Sequence, residues 1–291
     1  MFSYRHGFHA GNHADVLKHT VLIAVLKHLT AKPTAITVVD THAGAGLYRL
    51  DDDFAATSGE AAEGIVRLRQ QPPEPLAPLL ADYLELVASF NKAGSLKVYP
   101  GSPFVAQALL RPEAKDKLRL FELHPTDSKA LAAHVEQIEA QRMVTQVKAD
   151  GFEGLKAHLP PPSRRGLVLI DPSYEIKTDY GKVTACVQDS LKRFATGTYM
   201  VWYPVIPRPE AHDLPRRLKT VTNNAGKPWL HAVLNIGHAE AKAERPGLTA
   251  SGVFVINPPH TLKAGLKPAL EQMVEALGQG RGQSHLLESA G

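Results

Sequence analysis

The sequence predicts a doubly wound α/β fold: a mostly parallel sheet covered by helices on both faces, with an antiparallel pair at one edge. Two observations carry this reading. Short β-branched or aliphatic runs alternate with helical patterns along most of the chain. Four of those runs, at 35–39, 118–122, 144–149 and 166–170, stop at a carboxylate: Asp40, Glu122, Asp150 and Asp171. Sheets of this kind bind ligands beyond the carboxyl ends of their strands, so the second observation also says where to look for a site.

The elements follow in order. Leu17, Val21, Ala24, Val25 and Leu29 recur at helical spacing, with Asp15 near the start and Lys27 and His28 near the end, where each charge complements the helix dipole. Lys32-Pro33 stops this helix, and Ala35 to Val39 form a buried first strand. The small-residue turn Thr41-His42-Ala43-Gly44-Ala45-Gly46 lets backbone approach a ligand. Residues 49–98 then break the rhythm, since Ile65 to Gln70 and Leu79 to Phe90 both read as helices; this segment is expected to be a helical insertion within a domain that begins at 1–48 and resumes at 99–277.

Alternation returns with helix Pro103 to Leu110, strand Leu118 to Glu122, helix Ser128 to Gln141, strand Val144 to Ala149 and helix Phe152 to His158. Strand Gly166 to Ile170, helix Lys182 to Phe194 and strand Tyr199 to Tyr203 continue it. Trp229 to Ile236 and Gly252 to Ile256 are the expected antiparallel edge pair, and the tail 278–291 is expected to be flexible.

Composition excludes several classes. With 291 residues, 44% hydrophobic and 21% charged, the chain can bury a core, and its longest aliphatic stretch, Val21 to Leu26, is far short of the ~18 apolar residues that span a bilayer. The N-terminus has no secretion-signal pattern, so a cytoplasmic protein is expected. Cys186 is the single cysteine, which excludes an intramolecular disulfide and a cysteine zinc cluster. A net charge of +4 favours a polyanionic partner only if the basic residues gather on one face.

The turn after the first strand decides between two nucleotide cofactors. Gly44 and Gly46 supply two glycines of a dinucleotide fingerprint, but Arg49 stands where the third is needed for close helix packing. The remaining pattern is that of an S-adenosylmethionine site, with the loop against the methionine part, Glu122 on the ribose and Asp150 on the adenine amine. Asp171-Pro172-Ser173-Tyr174 differs only at its third position from the Asp/Asn-Pro-Pro-aromatic motif of amino-directed methyltransferases. An exocyclic adenine amine has its lone pair delocalised into the ring, so attack on a sulfonium methyl needs acceptors that draw the nitrogen toward tetrahedral geometry. Asp171 and the Pro172 carbonyl can do this, while Tyr174 is expected to stack on the extruded base. Ser173 removes some of the stiffness a second proline would give. The similar Asn257-Pro258-Pro259-His260 is rejected as catalytic, because it lies outside the series of strand-end carboxylates and ends in His.

The N-terminal segment, with His6, His9, His13 and His19, raises metal binding as a rival, but Gly7 and Gly11 argue against a helix that would align His9 and His13. Basic and aromatic side chains on a movable arm fit RNA better, with Tyr4 and Arg5 as the leading contacts.

These residues resemble a known family. Ser3-Tyr4-Arg5-His6, Phe8 to His19, Asp40 to Gly46, Tyr99 to Pro103, Glu122 to Pro125, Ala149 to Phe152 and Ser163 to Gly166 together are similar to the bacterial 23S ribosomal RNA adenine-N6 methyltransferases of the large-subunit methyltransferase J type. The resemblance implies a Rossmann-like class I S-adenosylmethionine-dependent enzyme with a small helical insertion, acting on 23S ribosomal RNA; a monomer is expected. It implies cofactor contacts at His19, His42, Ser102, Glu122, Asp150 and Gly151, a catalytic acceptor at Asp171 that also touches the cofactor, and substrate contacts at Tyr4 and Lys18. The runner-up substrate is adenine in DNA, since the Asp-Pro-x-Tyr loop does not distinguish the sugars; a histidine-metal hydrolase of nucleic acid is a more distant alternative.

Overall fold

The computed structural model describes residues 6–50, 59–138, 143–238 and 247–291. Its centre is an eight-stranded sheet in the order β10 (Ser284–Ala290), β8 (Trp229–Asn235), β9 (Ala250–Ile256), β7 (Thr198–Pro204), β6 (Gly166–Ile170), β1 (Thr37–Asp40), β4 (Lys117–Phe121) and β5 (Val144–Val147). The parallel part comprises β1, β4, β5, β6 and β7. From β1 the chain first winds outward through β4 and β5, then returns to lay β6 and β7 on the other side, so the winding reverses between β1 and β6.

The strands read as continuous apolar runs because both faces are covered. Alternate residues serve opposite cores: Val38, Leu167, Leu169, Met200 and Val255 face one cluster, while Val39, Val168, Ile170, Val201 and Phe254 face the other. The first cluster is roofed by α1 (His13–Thr30), α3 (Pro78–Ser89), α4 (Ser102–Leu109) and α9 (Leu262–Leu277), which pack on one another. The second is covered by α7 (Thr178–Arg193) and α8 (Pro209–Asn224).

α1 is buried on nearly every side over its first three turns, with Val16, Leu17, Val21, Leu22, Ile23, Val25 and Leu26 in the core. Asn12 caps its N-terminus by accepting from the Ala14 and Asp15 amides at 3.0 Å. At its other end Arg165, from the Ser163 to Gly166 stretch, donates to the Leu29 carbonyl, and Arg111 donates to the Thr30 carbonyl. These guanidinium groups satisfy carbonyls that the end of a helix leaves open.

The insertion leaves and rejoins the frame through an antiparallel ribbon of β2 (Leu47–Arg49) and β3 (Val98–Pro100). Between them lie a π-helical turn (Ala62–Val66), α2 (Arg67–Gln70) and α3. Leu80, Tyr83 and Val87 of α3 join the same core as α1, so the insertion shares the hydrophobic interior of the frame.

Three expectations are corrected here. β8 (Trp229–Asn235) and β9 (Ala250–Ile256) are antiparallel as expected, but they are interior strands. The edge is β10 (Ser284–Ala290), paired residue for residue with β8. The tail 278–291 is therefore a strand and not flexible chain. It gave no alternating signal because an edge strand buries little side chain, its residues being exposed or half-buried; backbone hydrogen bonds and Glu288, which bonds Lys219 and His231, hold it. The described part of the N-terminal segment is also fixed. His6–Phe8 form a 3-10 turn, His6 bonds Asp15, and the Glu60 carboxylate holds both His9 and Asn12. Gly11, at φ +79°, is a glycine because a Cβ there would lie 2.8 Å from Ile65 Cγ2, so its freedom serves close packing and not movement.

Candidate active site

The exits of β1, β4, β5 and β6 converge on one cavity of about 340 Å³, beside the point where the winding reverses. Of the residues singled out from sequence, His42, Gly44, Ser102, Glu122, Asp150, Gly151, Asp171, Pro172 and Lys18 line it. Tyr4 and Arg5 lie outside the described residues.

The β1 exit is a backbone cradle. Asp40 is buried and accepts from Ser102 Oγ at 2.7 Å and from the His42 amide, which ties α4 to the turn. Burial pushes its carboxyl up to about 6, offset in part by those two donors. Gly44 takes φ +62°, and its amide donates to Glu122 Oε2 at 2.8 Å. Glu122 Oε1 accepts from the His124 amide at 2.7 Å, so one carboxylate fixes the loops after β1 and β4 together. Burial raises the Glu122 carboxyl above the ordinary range. Gly46 does not line the cavity. It packs behind the turn, where a Cβ would meet Phe104 and Leu131, and its carbonyl accepts from the Gly101 amide.

Gly151 follows Asp150 with no room for a side chain, since a Cβ would lie 1.9 Å from the Thr41 carbonyl. Asp150 caps the short α6 (Gly151–Gly154), accepting from the Phe152 amide at 2.8 Å. Leu123, 45% exposed, and Phe152 add apolar surface beside the two acids. His42 packs edge-on to Phe152, and burial lowers its imidazole to about 4, so it is neutral at pH 7.

At the β6 exit the Lys18 ammonium donates to Asp171 Oδ2 at 2.7 Å and also pairs with Asp15 at 3.0 Å. Lys18, expected as a substrate contact, lines the cavity and is at the same time the ion-pair partner of Asp171. Sequence spacing did not reveal this, as 153 residues separate the two. His6 also lines the cavity, with its ring edge-on to Tyr48. Sequence reasoning grouped it with the arm; its hydrogen bond to Asp15, which Lys18 shares, is what places it here.

Two further expected contacts fall outside the cavity wall. Tyr174 has 1% of its surface exposed, and its ring packs on Tyr180 and Trp202. It has no face to offer a base, so the stacking role is corrected: at φ +54° the backbone turns this side chain inward. His19 is fully enclosed, with Nδ1 on the Tyr99 hydroxyl at 2.8 Å and Nε2 without a partner among the described residues. Burial lowers its imidazole to about 3.

The rival readings meet these facts. Among the described residues no group of three or more His, Cys, Asp or Glu is placed to share a metal ion, and none of their helices is long and apolar enough to cross a membrane. Asn257 lies at the far end of the sheet, after antiparallel β9, where its amide nitrogen bonds the Ala195 and Gly197 carbonyls. The Asn257-Pro258-Pro259 sequence is a structural turn.

Comparison with known proteins matches this arrangement to one family. Residues 33–287 fit the family model described as "Ribosomal RNA large subunit methyltransferase D, RlmJ". The chain is 45% identical over 271 residues to ribosomal RNA large subunit methyltransferase J of Escherichia coli strain K12, covering 93% of this chain and 92% of that protein. It is 41% identical over 279 residues to the protein of the same name from Haemophilus influenzae, covering 95% and 94%. A solved structure from Legionella pneumophila strain Philadelphia 1 superposes with a TM-score of 0.83 at 33% identity, over 97% of this chain and 98% of that one. With the strand-end acids, the glycine cradle and the Asp-Pro turn all at one cavity, the chain belongs to the ribosomal RNA large subunit methyltransferase J family.

Proposed function

We propose that this protein transfers a methyl group from S-adenosylmethionine to the N6 amine of one adenosine in 23S ribosomal RNA. The observation that carries the reading is the convergence of the Gly44 cradle, Glu122, Asp150 and Asp171 on one cavity at the strand exits. The donor set fits the cofactor. Glu122 is an acidic acceptor for ribose hydroxyls, Asp150 an acceptor for the adenine amine, and Leu123 and Phe152 offer apolar surface for the ring. When bound, the cofactor supplies an electrophilic methyl group.

Asp171 and the Pro172 carbonyl accept hydrogen bonds from the adenine amine and draw its lone pair out of conjugation. Lys18 fixes the direction of the Asp171 carboxylate, so the acceptor needs no reorganisation when the amine arrives. Tyr4 and Arg5 are proposed to meet the nucleotide from the N-terminal side, where His6 borders the cavity. A single chain carries every residue of the site, so a monomer suffices, and the cytoplasm is where ribosomal RNA is met. Mapping methylated adenosines in ribosomal RNA from cells with and without the protein tests the proposal. One N6-methyladenosine of 23S RNA should disappear; methyl loss from genomic DNA instead would move the reading to the runner-up substrate.

A further inference from the structure

The Asp171 turn lacks the second proline that would stiffen it, yet it holds a demanding shape. Tyr174 sits at φ +54°, a region that side chains other than glycine rarely adopt and that persists only where the surroundings impose it. Three restraints reach it, each from a different element. The Tyr174 hydroxyl donates to the Trp202 carbonyl of β7 at 2.7 Å, and its ring lies 4.6 Å from that of Tyr180 on α7. The third acts on the main chain: Arg208 Nη1 donates to the Tyr174 carbonyl at 3.1 Å.

We propose that Arg208 is a positioning residue for methyl transfer, clamping the Tyr174 carbonyl and supplying the rigidity that Ser173 leaves out of the Asp171–Tyr174 turn. This rests on the reading of Asp171 as the catalytic acceptor. Arg208 does not line the cavity, so it acts through the turn and not on the bound molecules. Its own base is firm: it is the N-cap residue of α8, and its carbonyl accepts from the Ala211 and His212 amides. The side chain is half-buried, and a planar guanidinium holds its direction toward a carbonyl better than a flexible ammonium would. With the clamp gone, the one proline no longer fixes the residues after it, and the Asp171 and Pro172 acceptors lose their aim. The cofactor contacts on β1, β4 and β5 are untouched.

The test is a double-mutant cycle read in kcat, RNA KM and S-adenosylhomocysteine Kd, with Asp171→Ala run alongside. Arg208→Ala should lower kcat about tenfold or more while KM and Kd stay within about twofold. Arg208→Lys, a milder change that keeps the charge and the fold, should recover only part of the rate. The loss on removing Arg208 should be several-fold smaller in a Ser173→Pro background, because proline then restrains the same turn. Equal losses in both backgrounds, an effect confined to KM as for an RNA phosphate contact, or unchanged kcat in Arg208→Ala would each overturn the proposal. Should Arg208→Ala not fold, the Arg208→Lys pair in the two backgrounds decides by the same criterion. Residual full activity in Asp171→Ala would show that the reading of the site had failed, whereas an inactive Asp171→Ala beside a normal Arg208→Ala would sink the clamp alone.

Discussion

The Lys18 ammonium on α1 sits between two carboxylates, 2.7 Å from Asp171 at the β6 exit and 3.0 Å from Asp15 one turn behind it. Burial opposes ionisation of Asp15, but His6, Lys18 and His19 more than offset it, so its carboxyl titrates well below the usual range. The N-terminal segment, the first helix and the Asp171 turn thus meet in one charge network.

Lys18→Met should therefore damage both fold and rate. Removing one member of a buried pair leaves the others uncompensated, at a cost of about 3–5 kcal/mol. Chemical denaturation should show a loss of that order, with turnover near zero; unaltered stability would mean that solvent already screens the network.

Asp171→Ala should abolish methyl transfer with little loss of RNA affinity, because RNA binding is spread over many phosphate contacts while the acceptor acts on one nitrogen. Filter binding and single-turnover methylation on the same preparation separate the two.

Glu122→Gln should weaken S-adenosylhomocysteine binding by roughly 2–3 kcal/mol, the worth of charged hydrogen bonds to two hydroxyls. Because burial raises this carboxyl, affinity in the parent protein should fall as pH drops, beginning above the ordinary glutamate range of 4.5. Calorimetry across pH should find that fall absent in Glu122→Gln.

The His9–Glu60 pair should make docking of the N-terminal segment depend on pH. The Glu60 hydrogen bond raises His9 above 6.5, so its contribution is complete below that value and lost as pH rises through the raised pKa. Burial raises Glu60, but His9 and Asn12 lower it further, so its contribution is present above 4.5 and lost as pH falls through the lowered value. Amide exchange at Gly11 and Asn12, corrected for intrinsic rates, should be slowest between those limits, and His9→Gln should flatten the profile.

Truncation after Gln283 should lower the melting temperature by several degrees and promote association. It strips β10 from β8, exposes a long edge, and removes the Glu288 partner of His231 and Lys219. Calorimetric scans with light scattering would show both effects; an unchanged melting point would mean that β10 contributes nothing to cohesion.

Sequence made the parallel sheet legible because strands covered on both faces advertise themselves as apolar runs, and four of them end in acids at 40, 122, 150 and 171. Two helices left no such signal. α8 follows Pro207, begins at Pro209 and contains Pro215, and α9 contains Pro268, so proline read as punctuation. Ala211, Leu214 and Leu218 in one, and Leu266, Leu270 and Met273 in the other, keep them helical by burial. At the cavity, sequence picked out most of the residues that gather there but not the direction in which they point. Tyr174 faces inward because of one backbone angle, and the Lys18 partnership with Asp171 exists only once α1 lies across the sheet.

The β2–β3 ribbon gives the insertion a single doorway. The Gly101 amide meets the Gly46 carbonyl at 2.7 Å, and the Leu50 amide meets the Lys97 carbonyl at 2.8 Å, so the chain departs and returns almost at the same place. From the standpoint of the cofactor cradle, the whole detour is equivalent to a tight turn. Closing a longer loop costs only logarithmically more, so the outer part can lengthen or change without displacing the glycines at its root. That licence ends at Tyr83, whose hydroxyl lies 3.2 Å from that of Tyr99, itself bonded to His19. There, as at Glu60, Leu80 and Val87, the detour and the frame must evolve as one piece; elsewhere the same doorway can admit different appendages onto an unchanged floor.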